Sequence, residues 1–402
     1  MDLILSHTVA LLVTAIVVAM LARRVRLPYT VGLVITGIGL ALTHVQNEPV
    51  LTHDFIFDVI LPPLLFEAAL ALHWSELRRD ALPLLTLAVL GVLIAAAAVA
   101  CGMVFALGWP VAPALVFGTL IAATDPVAVI ALFKDTQITG RMRLLVEGES
   151  LLNDGVAAVF FAFVLTWAQM PEAAPIAPGS VLGSLTWTAG GGTMIGLACG
   201  GLAILVAGGT ADHLVETALT TVAAYGSFLL AEYLHASGVL AAVAAGLLMG
   251  NVGVLRERIL SQRGREFVIA FWEFAAFIAN SLIFLLIGLT VAGIRFEGLG
   301  WPALMATIML VLLSRALSVY PLCLCFAGSR WAVPAAEQHV LWWGGLRGAL
   351  GLALALSLPP SLPLRNQIVI ATFGVVVFSV TVQGVTMPVL LALLRRNRRD
   401  GA

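Results

Sequence analysis

Apolar residues run through this chain in blocks of roughly twenty, separated by short charged, Pro-rich or Gly-rich joints. A helix needs about 20 apolar residues to cross the hydrocarbon core of a bilayer. Cutting at the joints predicts thirteen spans, at 3–22, 28–43, 54–73, 81–107, 111–133, 142–169, 180–208, 212–233, 237–252, 266–293, 301–327, 335–358 and 364–395. The second and ninth are the shortest. The first has Asp2 ahead of it, no basic segment before it and no small-residue cleavage site before the arginines that follow, so a span is expected there and not a cleaved signal. The longest joints are 171–178, rich in Pro and Ala, and 255–265, which is basic. The second is expected to be a connector, with an amphipathic helix lying on the inner surface as the alternative. No soluble tail domain is expected after Arg399.

Composition carries the same message. Hydrophobic residues make up 61% of the chain, charged residues 11%, and the mean hydropathy is +1.05. A soluble globular chain carries about 25% charged residues. Soluble enzyme, nucleic-acid binder and disordered protein are therefore excluded, and an all-α polytopic membrane protein is predicted. The net charge of −1 gives no sign of a polyanionic partner. Cys101, Cys199, Cys323 and Cys325 all lie inside apolar runs, which argues against a disulfide framework or a zinc site.

The basic residues set an orientation. Seventeen of the 21 lysines and arginines fall in the odd-numbered joints and the C-terminal end. The even-numbered joints hold only Arg295 and Arg365, while Arg315 and Arg347 lie inside spans. By the positive-inside rule the N-terminus faces outward and the C-terminus the cytoplasm. A bacterial inner membrane is the expected location.

A charge at mid-membrane costs on the order of 3 kcal/mol or more, so the ionisable residues inside spans are candidates for function. They are Glu67, Asp125, Glu149, Asp154, Arg315 and Arg347; Glu273 sits nearer an end and is expected at the interface. Span five reads ALVFGTLIAATDPVAVIALF. Pro126 lacks an N–H and its ring clashes with the carbonyl of Ala122, so the helix is predicted to break near Thr124. Asp125 then stands at an N-cap with Pro126 at the first position of a second half-helix. Two readings of Asp125 follow, a cap that complements the half-helix dipole or a direct ion ligand. Unwound backbone at membrane depth is tolerated only where it lines a cavity or is buried in protein.

Span twelve contains LWWGGLRGALGLALAL. Its glycines either break the helix around Arg347 or form a close-packing stripe. Spans five and twelve run in opposite directions, the pattern of an inverted repeat with paired discontinuous helices: residues 1–169, a linker helix at 180–208, and residues 212–395. Span six opens LLVEGESLLNDGVAAVFFAFV. At helical spacing Glu149 and Asn153 share one stripe, and Ser150 and Asp154 the next. Arg315 is the natural partner of Glu149, since its planar fork matches a carboxylate. Asp154 is left without an evident cationic partner. Desolvation favours its neutral form, and with Thr124, Ser150 and Glu67 it offers the oxygens that a small hard cation prefers. A carboxylate that holds a proton or a cation, but not both, is the minimal chemistry of an antiporter. The competing reading is a protonated aspartic acid hydrogen-bonded into a helix interface.

LPPLLFEAAL, ATDPVAV, GESLLNDGVA and GGLRGALGLALAL, in this order along the chain, resemble the cation:proton antiporter family of sodium/proton exchangers, in the NhaP-like branch with an Asn-Asp pair. The resemblance covers nearly the whole chain. It implies thirteen helices, a homodimer, and a six-helix core that moves against a dimerisation domain. It places the ion-binding aspartate on Asp154, preceded by Asn153. It places the unwound pair on Thr124 and Asp125, the hydroxyl ligand on Ser150 and the span-three carboxylate on Glu67. The buried ion pair falls on Glu149 and Arg315, and the second broken-helix arginine on Arg347. The implied activity is exchange of Na+ (or Li+ or K+) for H+ by alternating access, with Asp154, Thr124 and Ser150 holding the monovalent cation. Electroneutral one-for-one exchange is expected, because Asn153 stands where electrogenic relatives carry a second aspartate. No cofactor, catalytic residue or enzyme activity is expected. An intramembrane hydrolase would need HExxH, GxSG or a GxGD aspartate pair, and the chain has none. A channel or a scaffold is the other rival, and unitary conductance would distinguish the channel.

Overall fold

A computed structural model describes residues 2–25, 28–42, 52–135, 138, 140–170, 178–254, 259–294 and 296–400. The joint at 171–177 and residues 255–258, including Arg256 and Arg258, lie outside the described residues, as does Arg295. All regular structure among the described residues is helical.

In chain order the helices are α1 (Asp2–Val25), α2 (Tyr29–Leu42), α3 (Leu61–Ala71), α4 (Ala81–Leu107), α5 (Val111–Ala122), α6 (Val127–Asp135), α7 (Arg141–Ala168) and α8 (Leu182–Ala207). They continue with α9 (His213–Tyr233), α10 (Gly238–Leu248), α11 (Gln262–Ala292), α12 (Trp301–Leu324), α13 (Ala335–Trp343), α14 (Ala349–Leu356) and α15 (Arg365–Leu394). Eight helical segments among the described residues are long and apolar enough to cross a membrane. The segments 29–42 and 238–254 are apolar but shorter. Apolar side chains such as Leu205, 77% exposed, and Leu202 stay uncovered on α8, as expected of a surface meant for lipid or another apolar body.

Local chemistry explains several of the boundaries. α4 ends where Gly108 takes a left-handed conformation (φ +67°) and its N–H bonds back to Val104 O at 3.1 Å. α11 starts earlier than the predicted 266. The Ser261 side chain accepts from Gly264 N at 2.9 Å, so residues 262–265 of the basic joint are the first turn of the helix and not a separate surface helix.

Two devices place the helices around the site. At the start of α7 the guanidinium of Arg141 donates from Nε to Asp80 Oδ1 at 2.8 Å, from Nη1 to Ala332 O at 2.7 Å and from Nη2 to Trp331 O at 2.9 Å. One arginine thus ties α7 to the corner before α4 and to the loop before α13. Further along, α2 and α11 approach so closely that a Cβ on Gly37 would lie 2.9 Å from Gly288 Cα. Small residues allow such backbone contact between membrane helices.

Candidate functional site

Both predicted weak points are real breaks, and they lie against each other. α5 ends at Ala122 and Ala123 is extended (ψ 142°); residues 344–348 separate α13 from α14. The two unwound segments meet where Asp125 N donates to Leu346 O at 2.8 Å. The Asp125 side chain accepts from Val127 N at 3.0 Å, two residues on, so Pro126 occupies the first turn. It also accepts from the backbone N–H of Ala349, the first residue of α14. One carboxylate therefore caps two half-helices. Gly348 makes this possible, because a Cβ there would run into the Asp125 carboxylate.

Arg347 closes the crossing from the opposite direction. It is 3% exposed, and its Nη1 donates to Ala122 O at 2.7 Å and to Ala123 O at 2.9 Å, the carbonyls at the C-terminal end of α5. Its backbone N donates to Ser379 Oγ at 2.6 Å, which fastens the broken segment to α15.

Behind the crossing stands a buried ion pair. Arg315 donates from Nη1 to Glu149 Oε1 at 2.9 Å and from Nη2 to Oε2 at 2.7 Å, a bidentate fork. The same guanidinium reaches Leu341 O, so α7, α12 and α13 are joined at one point. Asn153 links the pair to the unwound segment. Its Nδ2 donates to Glu149 Oε1 at 3.0 Å and to Thr124 Oγ1 at 2.6 Å, and its Oδ1 accepts from Thr124 N at 3.3 Å. Ser150 Oγ donates to Thr124 O, fixing the peptide from the next stripe of α7.

In front of this wall lies a cavity of about 970 Å³. Glu67, Thr124, Asp125, Ser150 and Asp154 line it; Asn153, Glu149, Arg315 and Arg347 do not. The nine residues singled out in the sequence thus fall into five at the cavity surface and four behind it. Among the described residues none donates a hydrogen bond to the Asp154 carboxylate. Asp125 and Glu149 lie near enough for their charges to be felt at Asp154. A half-buried carboxylate among carboxylates, without a donor among the described residues, calls for a positive charge, and a proton or a cation meets the need equally well.

The cavity wall also holds residues that periodicity did not single out. Along α7, Arg143 and Glu147 continue the Ser150–Asp154 face, paired at 2.6 Å. Tyr29 on α2 and the stripe Glu273–Ala276–Phe277–Asn280 on α11 form the facing side. Glu273, expected at the interface, is exposed and lines the cavity. For Asn280 the sequence did carry a signal: it is a lone amide inside the apolar run FAAFIANSLIFLLIGL.

Comparison with known proteins gives consistent matches. The sequence pattern described as sodium/hydrogen exchanger, transmembrane, matches residues 10–393. A Na+/H+ antiporter of Aphanothece halophytica, ApNhaP, is 38% identical over 377 residues, spanning 92% of this chain and 70% of its own. The Na+/H+ antiporter NhaH of Halobacillus aidingensis is 34% identical over 399 residues, 95% of this chain and 96% of its own. Among solved structures, the sodium proton antiporter MjNhaP1 of Methanocaldococcus jannaschii superposes with a TM-score of 0.77 over 98% of this chain and 100% of its own. At 21% identity that likeness speaks for the fold.

Proposed function

This chain belongs to the sodium/hydrogen exchanger family, and from that premise we propose that it exchanges Na+ for H+ across the membrane, with Asp154 as the carrier of both. The observation that carries the assignment is the Asp154 carboxylate in the cavity, met by no donor among the described residues. Thr124, Ser150 and Glu67 supply further oxygens around the cation, and water completes the shell. Asp125 and Arg347 neutralise the half-helix ends, and Glu149 with Arg315 holds the helices that carry the site.

Transport runs by alternating access. The cavity joins Asp154 to Arg143, Glu147 and Glu273, on the side that the arginine asymmetry assigns to the cytoplasm, which supports reading this conformation as inward-facing. The two broken helices, one in each proposed repeat, rock as a unit against α2 and α11. The exchange is one cation for one proton and electroneutral, because a single exchangeable carboxylate carries either ion and Asn153 adds no second charge. A bacterial inner membrane, an outward N-terminus and a homodimer complete the reading; a second copy would cover apolar surface of the kind that α8 leaves open.

The test is reconstitution in liposomes with a trapped pH dye. External Na+ should dequench the dye equally with and without a membrane-potential clamp. Asp154→Asn should lose the response while keeping the wild-type elution profile and melting curve. Full activity in that variant would remove Asp154 as the carrier. A signal that scales with the clamped potential would refute one-for-one exchange. A response to K+ alone would keep the mechanism and change the cation.

A further inference from the structure

Asn280 is the one cavity-lining side chain on α11 that combines deep burial with a polar atom lacking a partner. It is 7% exposed, and its Oδ1 is shut off from solvent with no hydrogen bond. Neither end of the amide is held by a described residue. A buried carbonyl oxygen left unpaired is destabilising, so such groups usually have a role that another state of the protein satisfies. The surroundings repeat the pattern. Ser281 Oγ and, on the facing helix, Thr30 Oγ1 are also buried and unpaired. Tyr29 packs on Phe277 with ring centroids 6.1 Å apart, and Gly37 meets Gly288, which puts Thr30 at about the level of Asn280 and Ser281. Of these three unpaired oxygens, that of Asn280 alone belongs to a residue that lines the cavity.

Resting on the exchange reading above, we propose that Asn280 is a ligand for the transported cation, supplying Oδ1 from the α11 wall as the ion passes between the cavity and Asp154. The assignment follows from the chemistry of the group. An amide oxygen suits a small hard cation, whereas an unneeded buried amide would be better replaced by leucine. Because no hydrogen bond from a described residue holds the amide, a half-turn swings Oδ1 into the cavity without breaking one of them. α11 then adds an oxygen opposite the broken helices, so the cation is shared across the cavity at the moment it sheds water. Asn280 is accordingly expected to set discrimination among Li+, Na+ and K+, which differ in size and in the cost of dehydration.

Asn280→Leu and Asn280→Asp test this in the full chain, reconstituted as above. The leucine variant should fold at least as stably as wild type, since it removes an unpaired polar atom. Its apparent KM for Na+ should rise about tenfold or more at unchanged maximal rate, as loss of a ligand oxygen to a charged group implies. Its Li+:Na+:K+ order should flatten, and stabilisation of the detergent-solubilised protein by NaCl over choline chloride should shrink. The aspartate variant keeps an oxygen and should restore the KM. If leucine prevents folding, Asn280→Ala carries the same expectations. A folded variant with unchanged KM and ion order would overturn the proposal, as would leucine and aspartate variants that fail alike. If wild-type protein gives no cation-dependent signal, the exchange reading itself fails, which separates the two.

Discussion

Removing Arg315 alone should be far more damaging than removing the ion pair it forms. Glu149 and Arg315 have side-chain exposures of 3% and 6%, and their fork has N–O distances of 2.9 and 2.7 Å. Arg315→Met strands the Glu149 carboxylate in a low-dielectric interior with Asn153 as its remaining donor. It also frees Leu341 O. Breaking one half of a buried pair costs about 3–5 kcal/mol, much of it the penalty of an uncompensated charge. Glu149→Gln added to Arg315→Met removes that charge while the glutamine carbonyl still accepts from Asn153. The double variant should therefore recover all but about 1–2 kcal/mol, roughly the worth of the lost hydrogen bonds. The second substitution thus restores about 1–4 kcal/mol of what the first removes. The assay is denaturant unfolding in mixed micelles, read by tryptophan fluorescence, beside Na+-driven proton exchange in liposomes. Arg315→Met within 1 kcal/mol of wild type, or a double variant no better than the single, would refute the reasoning. A double variant that is stable but transports nothing would show that the pair acts in transport and not in architecture.

Two further outcomes follow from the site. Gly348→Ala should abolish exchange, because the new Cβ occupies the place of the Asp125 carboxylate; Gly39→Ala, where nothing lies within 4 Å, is the control, and normal exchange by Gly348→Ala would contradict the shared-cap geometry. Competition between proton and cation for Asp154 makes the apparent KM for Na+ rise as pH falls, by at most about tenfold per unit once the carboxyl is mostly protonated. A KM flat from pH 6 to 9 with unchanged maximal rate would refute a shared carboxylate.

What the sequence made legible was local or chemically stark. A proline inside an apolar span has to break its helix, and a charge there has to find a partner, so the break at Thr124–Pro126 and the Glu149–Arg315 match could be read from a linear string. The division of labour between the breaks could not. Asp125 caps α14 as well as α6, and Arg347 bonds carbonyls more than 200 positions away. Those contacts depend on how α5 and α13 cross, which no periodicity encodes. Asn153 was placed on the stripe of Glu149 by spacing alone; three hydrogen bonds make it the link between ion pair and unwound peptide. Asn280 and Tyr29 stayed hidden because one polar residue in an apolar helix does not announce whether it faces a neighbour or a cavity. The early start of α11 was missed because basic residues 263 and 265 read as a joint, while Ser261 had already capped a helix.

In the proposed exchange the charges at the crossing leave one group for the ions. A helix terminus carries about half an elementary charge, positive at the N-end and negative at the C-end. Asp125 faces two N-ends, those of α6 and α14, so its charge is matched without help from a cation. Arg347 faces the C-end of α5 and bonds two of its carbonyls. Glu149 is matched by Arg315. Each of these charges is answered by a fixed group that stays when the cavity is empty, and each is held by geometry that a moving ion need not disturb. Asp154 shares the cavity with Asp125 and feels the charge of Glu149, yet no helix end, guanidinium or N–H among the described residues answers it. In the proposed exchange its complement comes from solution, as a proton or as a cation. Loading either leaves the same net charge on the moving unit, which is the physical ground for expecting an exchange that the membrane potential does not drive.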